Sequence, residues 1–135
     1  MATNTETHAY GITRTVDTGY DETIARVREL LKEEGFGVLT EIDVKRTLKE
    51  KIDKDVEPYV ILGACNPRLA SRSLELEPDI GLLLPCNIIV STRGGKTHVG
   101  VVNPQSMVEF TSNPALAEVS READERLRRV IERLG

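Results

Sequence analysis

The chain is 135 residues long, enough for one compact domain that buries most of its unfolded surface without help from a metal or a disulfide. Apolar residues make up 39% and charged residues 30%, which excludes a disordered chain. Eighteen basic against twenty-two acidic residues leave a net charge of −4, the wrong sign for counterion-driven binding to nucleic acid; no Trp, three Tyr and two Phe also weaken a reading as a base-stacking platform, and no nucleic-acid partner is expected.

No apolar run approaches the ~20 residues that span a bilayer, so no membrane partner is expected. The start, MATNTETHAYG, has neither the basic nor the apolar region of a secretion signal. A cytoplasmic, reducing location is the expectation, and there Cys65 and Cys86, the only two cysteines, are expected as thiols.

Residues 1–8 are polar and read as a loose tail in front of a single domain over 9–135. Tyr10, Ile12 and Val16, with Thr between, predict a strand over 9–16. Ile24, Val27, Leu30 and Leu31 then form a helical stripe. Asp21 and Glu22 stand at its dipole-favoured start and Gly35 where a left-handed cap is wanted. Phe36 to Ile42 predicts a strand, after which Asp43 caps a short helix with Val44, Leu48 and Ile52 along one face. The outer face of that helix, with Lys45, Arg46, Lys49 and Lys51, reads as solvated surface. Tyr59 to Ala64 is a continuous apolar run, as in a strand covered on both faces, and stops at Cys65.

Asn-Pro recurs at 66–67, 103–104 and 113–114. Asn is a strong N-cap and Pro suits the first helical position, so each opens a helix or a helical turn. The first of these helices runs to about Leu76. Ile80 to Val90 then predicts a strand, turned at Arg93-Gly94-Gly95 and returned over Thr97 to Val102 as a hairpin. From Pro114 to Leu134, Leu116, Val119, Ala123, Leu127, Val130 and Leu134 line one side of a final amphipathic helix. The expected fold is a single α+β domain, a mixed but mainly antiparallel sheet with two long helices packed on one face.

Two segments stand apart: Gly63-Ala64-Cys65-Asn66-Pro67 and Leu84-Pro85-Cys86-Asn87. Each sets a Cys-Asn pair beside a proline at an apolar strand. Cys65 precedes a helix N-terminus, where free N–H groups and the dipole favour a thiolate. Pro85 cannot donate to a ladder, so the strand holding Cys86 is expected at an edge or bulged. Residues 66 to 85 have the length of a helical crossover, which would let the cysteines approach at strand carboxyl ends. The competing reading is packing, since free Cys is among the most buried residue types. Asn66 has a sufficient role as a cap; Asn87 has none as evident.

Other chemistry is poorly supplied. His8 lies in the tail and His98 at an alternate, solvent-facing position of the hairpin, and neither is placed as a base for cysteine. Zinc-ligand spacing and a CxxC motif are absent, although two thiolates could hold a soft ion such as Cu(I). Gly94-Gly95 lacks the lysine of a phosphate loop. Glu41 and Asp43 form an acid pair that capping by Asp43 explains adequately. No triad is recognisable, so an enzymatic activity is left open, and no cofactor is required for folding.

Gly35 to Asp43, Tyr59 to Pro67 and Gly81 to Asn87 resemble the signature stretches of the domain of unknown function 302 family, and the resemblance runs from about Tyr10 to Leu134. It implies a small α+β domain, typically a homodimer, found in bacteria and archaea. It implies no established activity. The family's cysteine positions correspond to Cys65 and Cys86. The expected function is a thiol-based binding or redox module in which Cys65, Asn66, Cys86 and Asn87 take a soft metal, a sulfur species or a small ligand. The alternative is a dimeric interaction module whose cysteines fill the core and which docks through the terminal helix or the basic face near Lys45 and Lys49.

Overall fold

In the computed structural model, which describes residues 5–135, the first long helix, α1 (Tyr20–Glu33), ends at Gly35 as its sequence predicts. Gly35 adopts a φ of 83°; its N–H donates to the Lys32 carbonyl at 3.1 Å, and that of Phe36 to Leu31 at 2.9 Å. This paired arrangement satisfies carbonyls that a helix end otherwise leaves open. It also seats Phe36 in the core beside Leu31.

Six strands follow from the remaining pattern: β1 (Glu6–Thr7), β2 (Gly11–Val16), β3 (Gly37–Asp43), β4 (Tyr59–Cys65), β5 (Cys86–Arg93) and β6 (Lys96–Val102). They form one sheet in the order β1-β2-β6-β5-β4-β3, with every neighbouring pair antiparallel. The further helices are α2 (Val44–Ile52), α3 (Pro67–Leu76), α4 (Gln105–Thr111) and α5 (Ala117–Glu132). The α+β expectation holds, and the sheet is wholly antiparallel rather than mixed. Gly94 and Gly95, both at positive φ, make the two-residue turn between β5 and β6 that only such residues take readily.

One face of the sheet carries the core. Ile12, Leu62, Ile88, Val90 and Val99 point to it and are buried beneath Val27, Leu30 and Leu31 of α1 and Leu127, Val130 and Ile131 of α5. Each such side chain contributes about 1.5–3 kcal/mol of transfer free energy. Arg14 also lies on this side, where its Nη1 donates to the carbonyls of Ile131 (2.8 Å) and Glu132 (2.9 Å), at the electronegative end of α5. Glu34, buried after α1, accepts a two-pronged bond from Arg129 at 2.8 and 3.0 Å, and its carbonyl accepts from Arg126 at 3.0 Å. These contacts tie α1 to α5.

Several expectations are corrected. Part of the tail is structured, because Glu6 and Thr7 pair with Thr13 and Ile12; residues 1–4 of that tail lie outside the described residues. Residues 78–83 form a 3₁₀ turn rather than a strand. Pro78 and Pro85 bracket it without N–H donors, so pairing starts only at Cys86. β5 is an interior strand, and the bulge lies in β3 between Val38 and Thr40. The Tyr59–Ala64 run is fully covered on one face only; on the other, Gly63 is buried but Tyr59 and Ile61 are half-buried. Finally, α2 has no buried residue and Ile52 is exposed, so its apolar stripe seals nothing completely.

Candidate functional site

Cys65 is the last residue of β4 and Cys86 the first of β5, with Cys86 registered against Ala64. The cysteines therefore meet at one end of the sheet. They do so because α3 and the 3₁₀ turn return the chain to the end it left, not because two carboxyl ends lie side by side. Both are free thiols and are not bonded to each other. They are not cross-strand partners either: Cys65 is registered against Gly37 of β3.

Both cysteines line a cavity of about 370 Å³ between this end of the sheet, α3 and α5. Its walls are apolar, with Phe36, Leu69, Val119, Ala123 and Met107 among them. Burial in these surroundings pushes the Cys86 thiol up to about 11, and a charge on Cys65 pushes in the same direction. At neutral pH Cys86 is therefore a neutral thiol.

Close packing builds the wall beside the thiols. A Cβ at Gly63 would collide with the Thr40 hydroxyl and lie 2.8 Å from Pro85. The bare glycine lets both residues, which line the cavity, sit over β4. Asn66 also lines the cavity, and it caps α3: its Oδ1 accepts from the Leu69 N–H at 3.2 Å, while its Nδ2 donates to the Glu34 carbonyl at 3.5 Å. The other two Asn-Pro sites behave alike. Asn103 accepts from Gln105 at 3.1 Å and Asn113 from Ala115 at 3.0 Å.

Asn87 does not join this group. It is exposed and follows Cys86 on an extended strand, so it faces the opposite side of the sheet. There it borders a second cavity of about 370 Å³, with Tyr10, Tyr59, Ile89, Val102 and Phe110. Met107 lines both cavities. Among the described residues no Asp, Glu, Lys, Arg or His lines either one, in a chain where 30% of residues are charged. Four of the five aromatic residues line one or the other, a fact that composition alone does not show.

The remaining candidates are occupied elsewhere. Glu41 pairs with Arg28, and Asp43 caps α2 by accepting from the Arg46 N–H at 3.0 Å. His98 is half-buried on the open face rather than solvated, and burial, reinforced by Arg93, lowers its pKa. His8 lies 3.3 Å from the Thr13 hydroxyl. Among the described residues no group of three or more His, Cys, Asp or Glu side chains is placed to hold a metal ion, and no helix is long and apolar enough to cross a membrane.

Residues 12–134 match the family described as Domain of unknown function DUF302. The chain belongs to the DUF302 family. The crystal structure of an uncharacterized conserved DUF302 protein from Bacillus stearothermophilus is similar over 93% of this chain and 98% of that one, with 38% sequence identity and a TM-score of 0.87. No similar curated protein is found. The DUF302 likeness thus agrees with the fold and carries no reaction with it.

Proposed function

We propose that this DUF302 protein is a binding module for a small uncharged ligand held in the first cavity, with the thiols of Cys65 and Cys86 among the groups that contact it. The observation that carries this reading is that the only two cysteines of the chain line one cavity free of charged side chains. An apolar pocket of this size with a few polar groups is the usual form of a small-molecule site. A soft cation fits it less well, since binding must first remove the proton that burial holds on Cys86. A thiolate redox step at Cys86 meets the same cost. Asn66 serves the site by starting α3, and Asn87 is not part of it.

Nile red, a neutral fluorophore, tests the reading. The native protein is expected to bind it, and prior treatment with N-ethylmaleimide is expected to abolish binding in the wild type but not in the Cys65→Ser, Cys86→Ser double variant. If both thiols react only after denaturation, or if the labelled protein binds dye as before, the reading fails.

One observation favours a further role for the same molecule as a homodimer. Ile42, Ile61 and Ile89 stand in register across β3, β4 and β5 on the face opposite α1 and α5. A second copy laid on this row would bury it. The helix faces are less suited to docking, because their charges are already paired: Lys49 with Asp53 and Asp55, Arg126 with Glu122, and Arg128 with Asp124. Sedimentation equilibrium should give a dimer that Ile61→Asp converts to monomer; a wild-type monomer at high concentration contradicts it.

A further inference from the structure

The two cavities are separated by very little. Consecutive residues face opposite sides of the partition: Leu84 and Cys86 line the first cavity, Leu83 and Asn87 the second. Likewise Pro104 lines the first and Ser106 the second. The wall is thus one chain thick, and the one side chain shared by both cavities is Met107, which is 8% exposed. A thioether on an unbranched stem is the most adaptable of apolar side chains and changes rotamer without branching strain.

Charge and shape then define what could occupy both. With no ionisable side chain but thiols and tyrosines along either lining, a charged ligand would lose its hydration with nothing in return. The second cavity is flanked by Tyr10 and Phe110, 74% and 73% exposed, apolar surfaces that form its outer rim. Met107 and Phe110 both belong to α4, whose start is held in place by Asn103 and Ser106: the Asn103 Nδ2 donates to the His8 carbonyl at 3.0 Å, and the Ser106 hydroxyl to the Asn103 carbonyl at 2.7 Å. The partition is therefore a flexible side chain on a fixed base.

We propose that the two cavities take one ligand, an uncharged alkyl chain that enters the first and extends past Met107 into the second, and that Met107 is the residue that sets the accepted chain length. The inference rests on the reading of the first cavity as a ligand site. Each methylene buried should tighten binding about fourfold. Primary alcohols of six to fourteen carbons, competed against Nile red, measure this directly. In the wild type the gain per methylene should diminish at the length where the chain meets Met107. Met107→Ala should carry the full gain to longer chains, and Met107→Phe should end it at or before the wild-type length, with shorter alcohols bound as before. The phenylalanine variant retains bulk in the core, so the result does not depend on the alanine variant remaining folded. An unchanged length profile in whichever variant folds overturns the proposal, as does failure of every alcohol to displace bound dye. Failure of the dye itself to bind instead overturns the reading of the first cavity.

Discussion

The two faces of the sheet are written in the same strands and serve different ends. Along β5, Ile88 and Val90 turn toward α1 and α5 and are sealed, whereas Asn87 and Ile89 turn away and border the second cavity. Along β6, Val99 and Val101 are buried, while Gly100 offers no side chain to the open side. The helix-covered face is filled with interlocking aliphatic groups except at the end where the first cavity meets α3 and α5, and the open face borders the second cavity. Strand alternation thereby divides the two cavities, and a substitution deep beneath α1 and α5 need not disturb the open side.

The largest difference between the faces should appear in equilibrium unfolding. Leu62→Ala, beneath the helices, is expected to cost about 3 kcal/mol through lost transfer energy and the void left behind. Ile89→Ala, half-covered on the open side, should cost less than half as much. Equal losses would show that the open face is as tightly enclosed as the other.

Next in size is the ion pair that fastens the covering helices. Arg129 holds the Glu34 carboxyl below its usual range, chiefly by hydrogen bonding, against the opposing effect of burial. A depressed carboxyl stabilises the fold at pH above its unfolded value of about 4.3, and that contribution is lost as pH falls through the lower folded value. Glu34→Gln should therefore lose about 2 kcal/mol at pH 7 by urea titration, with the gap from wild type closing toward pH 3. A gap independent of pH would show that shape rather than charge carries the contact.

The smallest effect is at the cavity's own border. Asn66→Ala removes the cap of α3 and should cost about 1 kcal/mol in thermal or chemical unfolding. Affinity for Nile red should change little, because the carboxamide is engaged with Leu69 and Glu34. A large loss of affinity at unchanged stability would return Asn66 to the ligand-contacting set.

Local rules made much of this structure legible. Gly35 was readable as a cap because a left-handed residue after an apolar stripe has few other uses, and the three Asn-Pro steps because each offers an N–H acceptor before a pre-set φ. The stripe from Leu116 to Leu134 was readable because its period is helical. What was not legible depended on which side of the sheet was covered. The Tyr59–Ala64 run is apolar throughout, since its alternate residues meet the core on one side and an uncovered apolar face on the other. Such a run is indistinguishable from a strand buried twice. The same parity sent Asn87 away from Cys86, although the two are adjacent in sequence. Tyr10, Phe36 and Phe110 gave no sign of lining cavities; their only signal was the scarcity of aromatic residues in a chain whose core is aliphatic.

The most direct test is methyl NMR of the protein labelled at Ala, Leu, Met and Val methyl groups and titrated with Nile red. Shifts are expected to concentrate at Leu69, Ala70, Val119 and Ala123 around the thiols, with Met107 moving as well. Unperturbed methyls there, with changes confined to exposed groups such as Leu82, would contradict the claim that the cysteine-lined cavity is where this protein binds.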